Sequence, residues 1–317
     1  MEACYSPQLY NVTSYGATTL AITTLEAFAG MWINAFIVSV LCIGWIKKKT
    51  LNSNEKILLL LGLSRFCFLC FSWIYAFLSE IYPYCLLVHP ILQLVQGAYS
   101  IFNCSNLWFS ACLCVFYCIK IANFRNSFFI YLKVKIDRMV SWLLFGSVIF
   151  SLTVGILVYN TIDKAVCKNH NFTCLRKFWK ETIRTEEHFY PIFFLTGFLH
   201  TTSFMVVIFS AVFLLFSLWR HKCKMQTNSM KDLSTEAHTK AMKSILSFLV
   251  MYSINFVSLI LTLVYSTKYT SQAIFTVYII QHAYPGIHSL ILIFSNPKLE
   301  KALLKILSCV KCKFLMK

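Results

Sequence analysis

Seven stretches of this chain, 17–46, 57–79, 84–119, 139–160, 189–219, 244–266 and 274–295, each carry at most one Asp, Glu, Lys or Arg. A helix needs about 20 mainly apolar residues to cross the hydrocarbon of a bilayer, so each stretch is long enough to span. The expected fold is an all-α membrane protein: a seven-transmembrane helix bundle with a short amphipathic C-terminal helix. Composition excludes the alternatives. Charged residues make up 13% of the chain, against roughly 25% in soluble domains, too few to cover a water-facing surface. The chain has 29 Phe, 16 Tyr and 7 Trp against 9 Gly and 6 Pro, which excludes disorder and fibrous repeats. No linker, repeat or low-complexity tract interrupts residues 1–317, so one domain is expected, with 1–16 as an outer arm and 296–317 as a tail.

An odd number of spans places the termini on opposite sides, and basic residues orient the bundle. Segments 47–56, 120–138, 220–243 and 298–317 hold 4, 5, 6 and 6 Lys or Arg, whereas the other side has six within 161–188 and one at Lys268. Asp163, Glu181, Glu186 and Glu187 offset most of the charge of 161–188. The positive-inside rule then predicts an extracellular N-terminus and a cytoplasmic C-terminus. The net charge of +17 reads as attraction to anionic membrane lipid rather than to nucleic acid. The first apolar stretch follows no basic n-region and has no evident cleavage site, so it is expected to be retained as a helix.

Two N-glycosylation sequons, at Asn11 and Asn171, fall in segments assigned to the outside. Most of the 14 cysteines fall in spans or on the inner side, where thiols stay reduced. Outside, Cys4, Cys85, Cys167 and Cys174 are available for bridges. Cys167 and Cys174 could close a loop around Asn171 or remain free, because spacing does not fix connectivity. Cys309 and Cys312 lack the second pair of a zinc site and, at the membrane, suit S-acylation better. In the tail, Leu299, Leu303, Ile306, Leu307 and Val310 recur at helical spacing among lysines, the pattern of a helix lying on the interface.

An ionisable residue inside a span is costly and marks a candidate functional site. Arg65 lies about 12 Å into the second span at 1.5 Å per residue, and Asn34 about 18 Å from the same face in the first. The two can share a layer with Ser289 of the seventh span, with Asn34 and Ser289 accepting from the guanidinium. Such a network either only joins helices or changes its bonds on activation. Glu26 lies nearer the outer end, where a direct pair with Arg65 is not expected. His200, His282 and His288 read as hydrogen-bonded interior residues, since a proton relay would need more carboxylates at depth.

No paired aspartates, Gly-x-Ser-x-Gly elbow, His-Glu-x-x-His or phosphate loop is present, so the chain is not expected to be an enzyme, and neither cofactor nor metal is expected. A channel filter is missing. A small-molecule transporter would show repeat symmetry or broken helices, and neither is visible. The remaining reading is a sensor that couples an outer pocket to an inner basic surface.

At the inner end of the third span the sequence runs from Phe116 to Phe124 as Phe-Tyr-Cys-Ile-Lys-Ile-Ala-Asn-Phe, followed by Leu132-Lys133-Val134-Lys135-Ile136. Further along come Leu61-Gly62-Leu63-Ser64-Arg65, Ser217-Leu218-Trp219, Ala241-Met242-Lys243, His288-Ser289-Leu290-Ile291 and Asn296-Pro297-Lys298-Leu299. In this order, over roughly residues 20–308, the chain strongly resembles the bitter taste receptors, the type 2 taste receptor family of G-protein-coupled receptors. It lacks the Asp-Arg-Tyr and Asn-Pro-x-x-Tyr motifs of rhodopsin-type receptors, and the motif from Lys120 to Phe124 argues against a pheromone-type chemosensory receptor.

The resemblance implies a multi-pass plasma-membrane receptor that detects small bitter or toxic compounds and activates a heterotrimeric G protein of the gustducin type. Tyr99 and Asn103 share a face of the third span, and the resemblance places Tyr278 and Gln281 of the seventh against the ligand, with Asn255 closing the cavity. None of these five is a carboxylate, so the pocket is expected to suit neutral or weakly polar aromatic compounds. Trp108, turned about 140° from Asn103, is expected against a neighbouring helix. Lys120, Lys133, Lys135, His221, Lys222, Lys224, His238 and Lys243 form the expected G-protein-coupling surface, with binding of anionic lipid as the other reading for each.

Overall fold

The computed structural model describes residues 14–86, 88–122, 127–168, 190–227, 232–265 and 271–315. Among them every regular element is a helix. In chain order these are α1 (Ser14–Lys48), α2 (Ser53–Ile81), α3 (Pro83–Leu86), α4 (Ile91–Ile121), α5 (Ser127–Lys168), α6 (Tyr190–Thr227), α7 (Asp232–Tyr265), α8 (Ser271–Ser295) and α9 (Pro297–Leu315). Setting aside the one-turn α3 and the terminal α9, seven long helices form the bundle. Within the described residues six of them contain stretches long and apolar enough to cross a membrane. The protein is a seven-transmembrane helix bundle with an amphipathic helix after it.

The apolar residues are distributed as lipid requires. Trp32, Trp142, Phe194 and Phe209 are exposed on the outside of the bundle, which in water would be a large unfavourable surface and in hydrocarbon is none. The interior is filled by layers such as Ile37, Leu58, Leu61, Phe109, Leu113, Ile136 and Ile293. α4 is the central helix, packed on α2, α5 and α6. The single apolar stretch 84–119 is therefore divided: α3 ends at Leu86 and α4 starts at Ile91. Pro90 stands at the N-cap of α4, where its missing N–H removes no helical bond.

Two glycine crossings bring backbones together. A Cβ at Gly286 would lie 3.3 Å from the Cα of Gly30, so α1 and α8 meet at their glycines. A Cβ at Gly155 would lie 2.1 Å from Cγ1 of Ile101 and 3.0 Å from the carbonyl of Gly97, which closes α4 on α5. Close approach of this kind replaces the hydrophobic drive that lipid does not supply.

α9 begins as the sequence dictates. Asn296 caps it, its Oδ1 accepting from the Lys298 N–H at 3.0 Å, and Pro297 occupies the first helical position. Leu299 is fully buried and Leu303 packs on the main core, whereas Leu304, Ile306 and Leu307 are exposed. Lys298 Nζ reaches Glu55 Oε1 at 2.5 Å, tying α9 to the first turn of α2. This end of the bundle carries Lys47, Lys48, Lys120 and Lys298 and is called the basic end below.

Candidate functional site

A cavity of about 460 Å³ opens in the half of the bundle away from the basic end. α2 contributes Ser72, Tyr75, Ala76, Ser79 and Glu80; α4 contributes Gln96, Tyr99 and Asn103. Thr196 and His200 of α6, Leu259 of α7, Gln281 and His282 of α8, and Thr19, Leu20 and Thr23 of α1 complete the wall. Helical spacing explains the choice: residues 72, 75, 76, 79 and 80 lie on one face of α2, and 96, 99 and 103 on one face of α4.

Of the five expected ligand residues, the structure brings Tyr99, Asn103 and Gln281 together on this wall. Asn255 is buried on α7 but does not line the cavity; Leu259, one turn along, does. The backbone of Tyr278 lies in α8, and its side chain falls outside the described residues. Gln281 spends its Nε2 on the carbonyl of Ser258, 3.1 Å away, linking α8 to α7. Trp108 stacks edge-on against Phe150 of α5, ring centroids 5.7 Å apart. The wall also carries a carboxylate, Glu80, so the carboxylate-free pocket expected from five residues is corrected. α2 runs on to Ile81, past the apolar stretch 57–79, and so presents Glu80 in register with Ser72 and Ser79.

Two helical turns beyond Ser72, Arg65 is fully buried and its donors are distributed over α4 and α8. Nε donates to Asn106 Oδ1 at 2.9 Å, one terminal nitrogen to Ser289 Oγ at 2.9 Å and the other to Ser110 Oγ at 3.3 Å. That second nitrogen also contacts Nδ1 of His288. An arginine only donates, so Nδ1 of His288 is the acceptor and the ring proton sits on Nε2. Tyr284 Oη lies 3.2 Å from the same Nδ1. Asn34 joins through an intermediary: Ser289 donates to Asn34 Oδ1 at 2.7 Å, while Asn34 Nδ2 donates to the carbonyl of Gly30 at 2.8 Å. The expected direct acceptance by Asn34 is thus relayed, because Ser289 stands between them. α4 supplies two partners, Asn106 and Ser110, that the sequence reading did not assign; their only signal is a spacing of four residues, one of several polar pairs on this helix.

The cavity and this cluster touch one helix. His282 contacts Ser72 Oγ at 2.5 Å on the cavity side, and His288, six residues on, contacts Arg65. Between them Pro285 lies inside α8 and leaves the carbonyl of Gln281 without its helical donor. On the basic side of His288, a smaller apolar cavity of about 60 Å³ is bounded by Tyr117, Phe248 and Ile291, and Ser244 of α7 bonds Ser295 of α8.

At the basic end Lys120, Lys133, Lys135 and Lys243 are exposed. Lys120 Nζ pairs with Asp137 Oδ2 at 2.6 Å, and Lys135 Nζ donates to Tyr131 Oη at 2.6 Å. The side chains of His221, Lys222, Lys224 and His238 fall outside the described residues, as do Asn11, Asn171, Cys4 and Cys174 and the side chains of Cys167 and Cys312. Cys309 is exposed and Cys85 is half-buried. Among the described residues no group of His, Cys, Asp or Glu is arranged to hold a metal ion.

Comparison with known proteins yields one family. A family model described as "Taste receptor protein (TAS2R)" matches residues 12–311. Among curated proteins, taste receptor type 2 member 7 of Macaca mulatta is 33% identical over 297 residues, covering 92% of this chain and 92% of that protein. Taste receptor type 2 member 7 of Pan troglodytes is 32% identical over 300 residues. Taste receptor type 2 member 9 of Homo sapiens is 32% identical over 296 residues, covering 90% and 92%.

Proposed function

The chain belongs to the type 2 taste receptor family of G-protein-coupled receptors, and from that premise we propose that it detects small bitter or toxic compounds in the cavity between α2, α4, α6 and α8. In this reading it is a plasma-membrane receptor with its N-terminus outside and its basic end in the cytoplasm. There it activates a heterotrimeric G protein of the gustducin type, and the chain acts as one domain with no chemistry of its own.

The observation that carries this reading is the continuity of α8. One helix lines the cavity with Gln281 and His282, meets Arg65 with His288 and Ser289, and bonds α7 at the basic end through Ser295. A ligand that binds one position of α8 better than another shifts the population of the whole helix. The polar cluster around Arg65 has alternative donors and acceptors within reach, which suits two discrete arrangements better than continuous bending. At the basic end, parting Ser244 from Ser295 opens the space beside Tyr117 and Phe248 to a G-protein segment.

The test is expression of the full chain in cells, with a calcium readout against a panel of bitter compounds. A saturable response to one or more of them is expected. Asn103→Ala and Tyr278→Ala should each raise the half-maximal concentration several-fold at normal surface level. Unchanged dose responses in both variants would retire the cavity as the ligand site.

A further inference from the structure

A second cavity, of about 440 Å³, opens sideways into the hydrocarbon between α5 and α6, both of which pack on α4. None of its residues lines the polar cavity. Its floor runs along α4 from Trp108 to Val115; Trp142, Gly146 and Phe150 of α5 form one wall and Val206 of α6 the other. Trp142 is 72% and Phe150 38% exposed, so the opening is continuous with the surface that α5 turns to lipid. A Cβ at Gly146 would meet nothing within 4 Å, which leaves the wall open where a side chain would otherwise fill it.

Packed clusters close this slot at both ends. Away from the basic end Cys104 of α4, Val154 and Val158 of α5 and Leu199 of α6 come together. Toward the basic end Cys118 of α4, Leu214 and Leu218 of α6 and Phe129 of α5 do the same. At 1.5 Å per residue the floor between them is about 10 Å tall, shorter than the roughly 15 Å of hydrocarbon in one leaflet. The slot asks for no polar partner. No charged residue is among its described lining residues. Ser147 donates to the carbonyl of Leu143 at 2.7 Å, Cys112 Sγ lies 3.9 Å from Ser147 Oγ, and the indole N–H of Trp108 is sealed from the slot.

Lipid tails are as apolar as the slot, so a compound entering it from the bilayer is held by packing and not by escape from water. Shape therefore selects the occupant. A tail hangs along the bilayer normal from its headgroup and has to bend across a closed end to enter, losing rotamer freedom as it does. A rigid ring enters sideways without that loss and packs against Trp108 and Phe150, whose rings meet edge-on with centroids 5.7 Å apart. The volume lies within the range of about 300–1,000 Å³ in which small-molecule sites fall. We propose that the slot binds compact, rigid, uncharged ring compounds dissolved in the bilayer core. It is a second binding site, reached through lipid and separate from the polar cavity.

The experiment uses the purified full-length chain in lipid nanodiscs and trifluoromethyl-phenyldiazirine, a compact uncharged ring compound that attaches to its surroundings on illumination. Mass spectrometry of the digested protein locates the label. Labelling of the slot residues on α4 and α5 should saturate with probe concentration and fall several-fold when adamantane, a rigid ring, is added. An equal amount of hexadecane, a flexible chain, should compete much less. Gly146→Leu fills the slot and should lower its labelling several-fold, with labelling of the lipid-facing Phe194 and Phe209 unchanged. Should that variant not fold, Val206→Phe narrows the slot from α6 with the same expectation, and competition in the parent decides the matter without either variant. Slot labelling that rises without saturating, as at Phe209, overturns the proposal. Competition by hexadecane as strong as by adamantane gives the slot to lipid tails and overturns it too, as does undiminished labelling in a folded, filled variant. No readout here uses signalling, so failure of the proposal leaves the receptor reading untouched.

Discussion

Arg65 concentrates the energetics of the interior in one side chain. Its guanidinium is the donor for Asn106, Ser110, His288 and Ser289 at once, and the side chain is fully buried. Removing it leaves several buried acceptors unmade, each costing about 1–3 kcal/mol. We predict that Arg65→Ala lowers surface level or signalling severalfold for every agonist alike. Agonists disagreeing about the effect, with expression normal, would place Arg65 in ligand selectivity and contradict the structure. Arg65 was legible in the sequence because a charge in an apolar span has no inconspicuous explanation. Asn106 and Ser110 were not, since an uncharged polar residue on a helix faces lipid, a cavity or a partner with equal ease until the packing is known. Glu80 was missed for a different reason. Counting uncharged residues ends a span where charge begins, whereas the hydrogen-bond ladder of α2 ignores that boundary.

The elements were legible as helices, because seven apolar stretches have no other way to satisfy their backbones in lipid. Their ends and crossings were not. The stretch 84–119 hid the break between α3 and α4, and nothing in the order of residues says that Gly97 and Gly155 meet. That crossing makes a sharp expectation. The Cβ of Gly155→Ala would overlap Ile101 at 2.1 Å and press on the carbonyl of Gly97 at 3.0 Å, so α5 must move off α4. Overpacking of this kind costs about 1–3 kcal/mol, and the variant should show lower thermal stability in detergent and less protein at the surface. Ile101→Ala in the same chain removes most of the overlap and should restore part of the loss. Gly146 is the internal control: a Cβ there meets nothing within 4 Å, and Gly146→Ala should leave both measurements unchanged.

Across the whole molecule, the polar cavity and the basic surface occupy opposite ends, joined by a buried layer that faces neither. Lysines at the basic end have two possible partners, a G protein or anionic lipid, and charge reversal separates them. Lys120 is paired with Asp137, yet both side chains are about half exposed, at 45% and 53%, and exposed pairs contribute only about 0–1 kcal/mol to stability. Losing that pair should therefore not unfold the bundle. We predict that Lys120→Glu combined with Lys224→Glu abolishes coupling at full surface level, because the reversed charges repel an acidic partner segment that approaches between α4, α6 and α7. If lipid attraction is the only role of these lysines, coupling should persist in the double variant, and binding of the purified receptor to vesicles containing anionic lipid should weaken instead. Measuring both on the same variant assigns the basic end to one partner or the other, since each outcome predicts a loss where the other predicts none.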